Sequence, residues 1–204
     1  MTRKNLKAEA KRLFKSQYDV TLLAVFLTLV ISIGAGSILF LAGSILILPI
    51  YVGRSRIFMD IARGGKGNID TLLENFKTDY AEKLLTLFLK NLFLILWSLL
   101  LVVPGIIKAM SYALVPYIMA EEDYDPENDM AIDISRQWMN GYKKELFLIY
   151  LSFIGWFILG FLTLGILTIL YVIPYVEQTL ALFYDKVKAE KSLTEKTAQP
   201  MLEE

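Results

Sequence analysis

From Val20 to Gly53 the chain runs 34 residues without one charged side chain. As a single helix that run would measure about 51 Å, against a bilayer hydrocarbon core of about 30 Å. A run of this length therefore has to fold back, and the small residues Gly34-Ala35-Gly36 predict the turn, with spans at about 20–33 and 37–62. The pattern recurs twice. Leu84 to Ala120 is interrupted only by Lys90 and Lys108, and Pro104-Gly105 predicts a turn at 103–105 between spans at 84–102 and 106–120. Leu146 to Val176 is again charge-free, and Gly160 to Gly165 predicts a turn between spans at 146–161 and 166–184. The predicted fold class is all-α: a polytopic membrane protein with six spans, arranged as three proline-containing hairpins. A hydrophobic fraction of 55% and a mean hydropathy of +0.49 exceed what an ordinary soluble domain carries.

Charge predicts the orientation. Residues 1–19 hold Arg3, Lys4, Lys7, Lys11, Arg12 and Lys15. Leu6, Ala10, Leu13 and Phe14 recur at helical spacing there, so an amphipathic helix with a cationic face is expected to lie on an anionic leaflet. The apolar run continues past the small residues that would mark a signal-peptide cleavage site, so this start reads as an anchor. The three predicted outer turns contain no Lys or Arg, whereas 19 of the 21 basic residues fall on the opposite side. The positive-inside rule then places both termini in the cytoplasm of a plasma-membrane, multi-pass protein. Residues 1–185 form one integral-membrane domain, and 186–204, a mixed-charge stretch, is expected to be a disordered cytoplasmic tail.

An internal repeat is predicted from three matching segments: Phe14-Lys-Ser-Gln-Tyr18, Phe76-Lys-Thr-Asp-Tyr80 and Trp138-Met-Asn-Gly-Tyr142, spaced by 62 residues each time. Each ends an amphipathic stretch, the second pairing Ile69, Leu72, Leu73, Phe76 and Tyr80 on one face. Fixed spacing marks repeated supersecondary units. The repeats would span 1–64, 65–126 and 127–185, each an interfacial amphipathic helix followed by a hairpin. An aromatic belt at the membrane interface would place the same residues without a repeat.

Reactive chemistry is poorly represented. With no Cys and no His, thiolate nucleophiles, disulfides, imidazole acid–base work and the usual zinc sets are excluded. No phosphate-binding loop or nucleophile elbow occurs. Zero net charge with no separate basic domain argues against nucleic acid. No catalytic residue, metal site or cofactor is expected. The acidic run from Glu121 to Asp129 does not match a calcium loop, since Asn128 and Ile134 stand where Gly and Glu are needed. It reads instead as a helix start, with Asp125 as cap and Pro126 in the first turn.

Glu177 is the most informative residue, a carboxylate about 11 residues into the last predicted span. Such a group faces a bundle interior or water. It is either a proton or cation site or a structural partner, for Lys108, Arg54, a tyrosine hydroxyl or the backbone freed by Pro174. Lys108, Gln178 and Arg54 complete the candidate intramembrane polar site. Lys108 can also snorkel outward, and Arg54 and Arg56 read as headgroup anchors.

Val103-Pro-Gly-Ile-Ile-Lys108-Ala-Met-Ser-Tyr112, Ala131-Ile-Asp-Ile-Ser-Arg136-Gln-Trp-Met-Asn-Gly141 and Leu151-Ser-Phe-Ile-Gly-Trp156 with Pro174-Tyr175 resemble a bacterial integral-membrane family known as domain of unknown function 975. The likeness is best over 84–185. More distantly, the layout is similar to the membrane domain of some glycerophosphodiester phosphodiesterases, whose catalytic domain has no counterpart here. The resemblance implies a polytopic plasma-membrane protein without an assigned reaction. It also marks Pro104, Gly105, Lys108, Ser135, Arg136 and Gly141 as recurring residues, with Ser135 and Arg136 a candidate cytoplasmic-face site. The expected role is a non-enzymatic membrane module that organises the envelope or binds lipid or a protein partner. Membrane lipids, a membrane-protein partner or a second copy are the expected partners. The alternative is a small transporter or channel centred on Glu177.

Overall fold

The computed structural model describes residues 2–38, 45, 47–74, 79–100, 102–125 and 130–198. The structure is all-α, with no strand among the described residues. Its helices are α1 (Arg3–Ser16), α2 (Tyr18–Ile38), α3 (Ile50–Ala62), α4 (Thr71–Glu74), α5 (Tyr80–Leu100) and α6 (Val102–Ser111). They continue with α7 (Val115–Ile118), α8 (Ala131–Trp138), α9 (Lys143–Leu151), α10 (Ile154–Leu162) and α11 (Ile173–Ala198), the last preceded by a π-helical turn at Thr168–Val172. Lys143–Leu162 is the one described stretch long and apolar enough to cross a membrane as a single helix.

The amphipathic α1 forms as its periodicity dictates. Thr2 caps it by accepting from the Asn5 N–H, and its buried residues are Leu6, Ala10, Leu13 and Phe14. That face packs on α11, while the chain turns by 90° into α2. Gln17 holds the bend: its side chain donates to the Gly65 carbonyl at 2.7 Å and accepts from the Gly67 N–H at 2.8 Å. Tyr18, the first residue of α2, donates to the Leu170 carbonyl at 3.1 Å, inside the π-helical turn where the regular hydrogen-bond ladder is broken. The centre of the core is α11, whose Ala181, Phe183, Tyr184 and Val187 are buried.

Several boundaries differ from those predicted. Gly34-Ala35-Gly36 is not a turn but lies inside α2, because glycine and alanine in an apolar run weaken a helix without ending it. Pro104-Gly105 likewise sits in the first turns of α6, where proline lacks no needed donor. The predicted span 106–120 is two helices, α6 and α7, divided by a turn at Tyr112–Leu114. The span predicted at 146–161, by contrast, falls within Lys143–Leu162, the stretch long and apolar enough to cross a membrane, with a local break at Ser152-Phe153 between α9 and α10. Only the 160–165 turn is where expected, with Leu164 and Gly165 in the left-handed region. The predicted disordered tail is helical as far as Ala198. It is docked by the buried Val187, by Lys186 on Glu145 at 2.7 Å, and by the Tyr142 hydroxyl donating to Glu190.

Of the repeat motifs, Phe76 lies outside the described residues, as do Pro126, Glu127 and Asp129 of the acidic run. The first and third motifs each close a short amphipathic helix just before a new one, α1 into α2 and α8 into α9. Of the second amphipathic stretch, α4 falls among the described residues, where Leu72 is buried but Leu73 is exposed. Described α8 begins at Ala131 with Met130 at its cap, rather than at Asp125.

Gly53 marks the tightest backbone approach. A Cβ there would stand 2.6 Å from the Leu72 carbonyl oxygen and 2.8 Å from the Leu72 Cα, so α3 meets α4 with no room for a side chain. Backbone cannot give way as a side-chain tip can. Gly53→Ala is expected to destabilise the protein by about 1–3 kcal/mol, read as a lower unfolding temperature in detergent. An unchanged temperature would mean that α4 is not held against α3.

Candidate functional site

Five helices bring polar side chains to one cavity of about 490 Å³. Arg54 comes from α3, Lys90 and Asn91 from α5, Tyr117 from α7, Tyr150 from α9 and Glu177 from α11. Helical spacing puts them there. Arg54 lies four residues from both Ile50 and Phe58, which are fully buried, so α3 carries a guanidinium on its core face. Lys83, Leu87, Lys90 and Leu94 form one stripe of α5, and Glu177, Ala181 and Tyr184 one stripe of α11.

The centre of the site is an ion pair. Arg54 Nη2 lies 2.7 Å from Glu177 Oε1, both side chains being more than four-fifths shielded from solvent. The Tyr117 hydroxyl donates to Glu177 Oε2 at 3.2 Å. The guanidinium also stands 5.0 Å from the centre of the Tyr51 ring. Lys90 lines the same cavity and feels the Glu177 charge, yet forms no ion pair or hydrogen bond among the described residues. Arg54 Nε is buried and without an acceptor among them. Around these groups the wall is apolar, with Leu48, Leu87, Leu94 and Leu180 among its residues.

The depth of the site is set by α1. The Tyr175 hydroxyl donates to the Lys7 carbonyl at 3.0 Å, and Lys7 Nζ donates to the Ser152 carbonyl and hydroxyl at 3.2 and 3.0 Å. Glu177 lies two residues beyond Tyr175, about 3 Å along the axis. It is therefore level with the amphipathic helix.

The predicted polar site is thus divided. Glu177 and Arg54 meet, and Arg54 is an ion-pair partner rather than a headgroup anchor. Gln178 is buried on another side of α11 and donates to the Phe58 carbonyl at 3.2 Å. Lys108 is elsewhere, its ammonium 4.6 Å from the centre of the Trp97 ring. It joins Arg136 along an apolar groove lined also by Leu89 and Phe93. Arg136 pairs with Asp133 at 2.7 Å. Ser135 is buried and donates to the Ser111 carbonyl at 2.7 Å, which ties α8 to α6. Reasoning from sequence missed Lys90, Tyr117 and Tyr150. Lys90 was open to the same argument as Glu177, a lone charge within an apolar run. The tyrosines carried no such signal.

A second polar cluster closes the far end of α3. Glu121 accepts from Arg63 at 2.7 and 3.0 Å, from Lys188 at 2.7 Å and from the Tyr184 hydroxyl at 2.7 Å. Burial pushes this carboxyl up, but the three hydrogen-bonding partners outweigh it and hold it at about 2. Arg63 also binds Asp185 at 2.8 Å. Arg56, expected as an anchor, donates to the Ala120 carbonyl at 2.7 Å and pairs with Asp60 and Glu122.

These features define an all-helical protein with a shielded ion pair at the wall of a largely apolar cavity. Residues 99–191 match the model of a family described as protein of unknown function (DUF975). The matched stretch contains Tyr117, Tyr150 and Glu177, whereas Arg54 and Lys90 come from outside it. No curated protein and no solved structure matches the chain.

Proposed function

We propose that this chain is a non-enzymatic, multi-pass plasma-membrane module that takes a lipid-derived ligand from the bilayer into the cavity beside Arg54 and Glu177. The observation that carries the reading is the cavity itself, whose polar groups converge within an apolar wall. Its volume of about 490 Å³ falls in the range of small-molecule sites. The surface supports the membrane setting. Phe161, Leu162 and Leu164 are 83%, 71% and 93% exposed at the 160–165 turn, and Ile154, Phe157 and Ile158 are exposed below them. Large apolar side chains in such a row are stable against lipid rather than water. The apolar face of α1 is taken up by α11, which leaves its cationic face for lipid headgroups and supports placing Glu177 and the cavity near that level. A ligand with a polar head and an apolar body fits that depth. Six spans, cytoplasmic termini and the threefold repeat belong to this proposal.

The expected result is that protein purified in neutral detergent retains one class of lipid stoichiometrically. Ala113→Phe, which fills the cavity without touching a charge, is expected to remove it. Solvent extraction and mass spectrometry read both. Equal lipid content in the two proteins would overturn the reading.

A second reading, transport, rests on the Glu177 carboxylate at the cavity wall. Proton or monovalent-cation flux in proteoliposomes that is lost in Glu177→Gln would favour it. The pairing with Arg54 argues the other way, because a neutralised carboxylate is a poor cation site.

A further inference from the structure

We propose that the cavity is selective for an anion, a singly charged oxyanion carried on an apolar body, with Lys90 and Arg54 as its binding cations. The inference rests on the proposed ligand-binding role and adds the charge class of the ligand. Three observations carry it. The first is charge. Arg54 is compensated by Glu177 at 2.7 Å, but Lys90 has no ion-pair partner among the described residues, so two cations face one carboxylate. A net charge of plus one in a partly apolar enclosure is costly until a counter-charge arrives. The second is geometry. Arg54 and Lys90 line the same cavity from α3 and α5, so one oxyanion there has a cationic donor on each side, the two-donor arrangement that charge-assisted hydrogen bonds favour. The third is the lining. Leu48, Leu87, Leu94 and Leu180 offer no hydrogen bonds, so the rest of the ligand must be apolar. A small inorganic anion would leave that wall uncovered.

A monoanion with an apolar tail arises in two ways in a bilayer, as a fatty-acid carboxylate or as a phosphodiester headgroup. Titration of the full-length, delipidated protein in neutral detergent with four probes distinguishes the cases. These are laurate, short-chain phosphatidylglycerol, short-chain phosphatidylcholine and dodecyltrimethylammonium. Laurate or phosphatidylglycerol, or both, are expected to bind at least tenfold more tightly than the zwitterion and the cation. The tighter of the two identifies the source.

Lys90→Gln is the decisive variant, because Lys90 forms no ion pair or hydrogen bond among the described residues, and circular dichroism of the variant checks its fold. It is expected to weaken the anion by about tenfold and to leave phosphatidylcholine unchanged. Tighter binding of the cation or the zwitterion than of the anions would overturn the anion assignment while the binding role stands. Anion binding that is insensitive to Lys90→Gln would overturn the site. Failure of all four probes, with the protein folded by circular dichroism, would overturn the ligand-binding reading itself.

Discussion

Glu177→Leu is expected to destabilise the protein by about 3–5 kcal/mol, because it strands the Arg54 guanidinium in a shielded site. Arg54 has its Glu177 partner at 2.7 Å, and its Nε already lacks an acceptor among the described residues. Arg54→Leu is expected to be costly for the mirror reason, leaving Glu177 with the Tyr117 hydroxyl and the more distant charge of Lys90. The double variant Arg54→Leu/Glu177→Leu is expected to be much closer to the native protein than either single change. Apolar groups of similar volume replace a buried pair at little net cost. Unfolding temperatures of the four proteins in neutral detergent give the coupling, which the costs of the single and double changes put at about 5 kcal/mol or more. Additive single and double changes would show that water screens the pair.

The second large effect is at Glu121, where Arg63, Lys188 and Tyr184 converge on one carboxylate. A carboxyl held at about 2 instead of its ordinary 4.5 stabilises the fold at neutral pH, and with Arg63 and Lys188 both more than a third exposed, solvent screening leaves about 1–2 kcal/mol of it. The carboxyl is depressed in the folded state. Its contribution is therefore complete above about pH 4.5 and is lost as the pH falls toward 2. Glu121→Gln is expected to lower the unfolding temperature at pH 7 by about 3–6 °C. The gap between variant and native protein is expected to shrink steadily below pH 4.5. A gap that holds constant down to pH 2 would mean that shape at this position matters and charge does not.

This cluster also shows why the end of the chain was misjudged. Residues 186–198 are rich in charge and poor in apolar periodicity, and such composition reads as disorder when a segment is taken alone. In the fold three of these charges find a counterpart from far away in sequence: Lys186 on Glu145, Lys188 on Glu121 and Glu190 on the Tyr142 hydroxyl. Helix α11 therefore continues past Tyr184. The turns were misplaced for a related reason. Gly34-Ala35-Gly36 and Pro104-Gly105 are permissive rather than decisive, and neighbouring apolar turns kept both stretches helical. The 160–165 turn was legible because Leu164 and Gly165 end a helix in the left-handed region, the usual task of glycine there.

The amino-acid sequence by itself determined the all-helical class, the buried face of α1 and the interior placement of Glu177. Each follows from local quantities: helical periodicity, the length of charge-free runs and the cost of a lone charge among apolar residues. It also offered Arg54 as one of three partners for Glu177. Only the tertiary structure chose among them and sent Lys108 to Trp97 instead. It alone added Lys90, Tyr117 and Tyr150, and set the depth of the site by laying α1 beside Tyr175. Arg54 and Glu177 are separated by more than 120 residues, and nothing local couples them. Their meeting is decided by how α3 and α11 pack, a property of side-chain shape across the whole core.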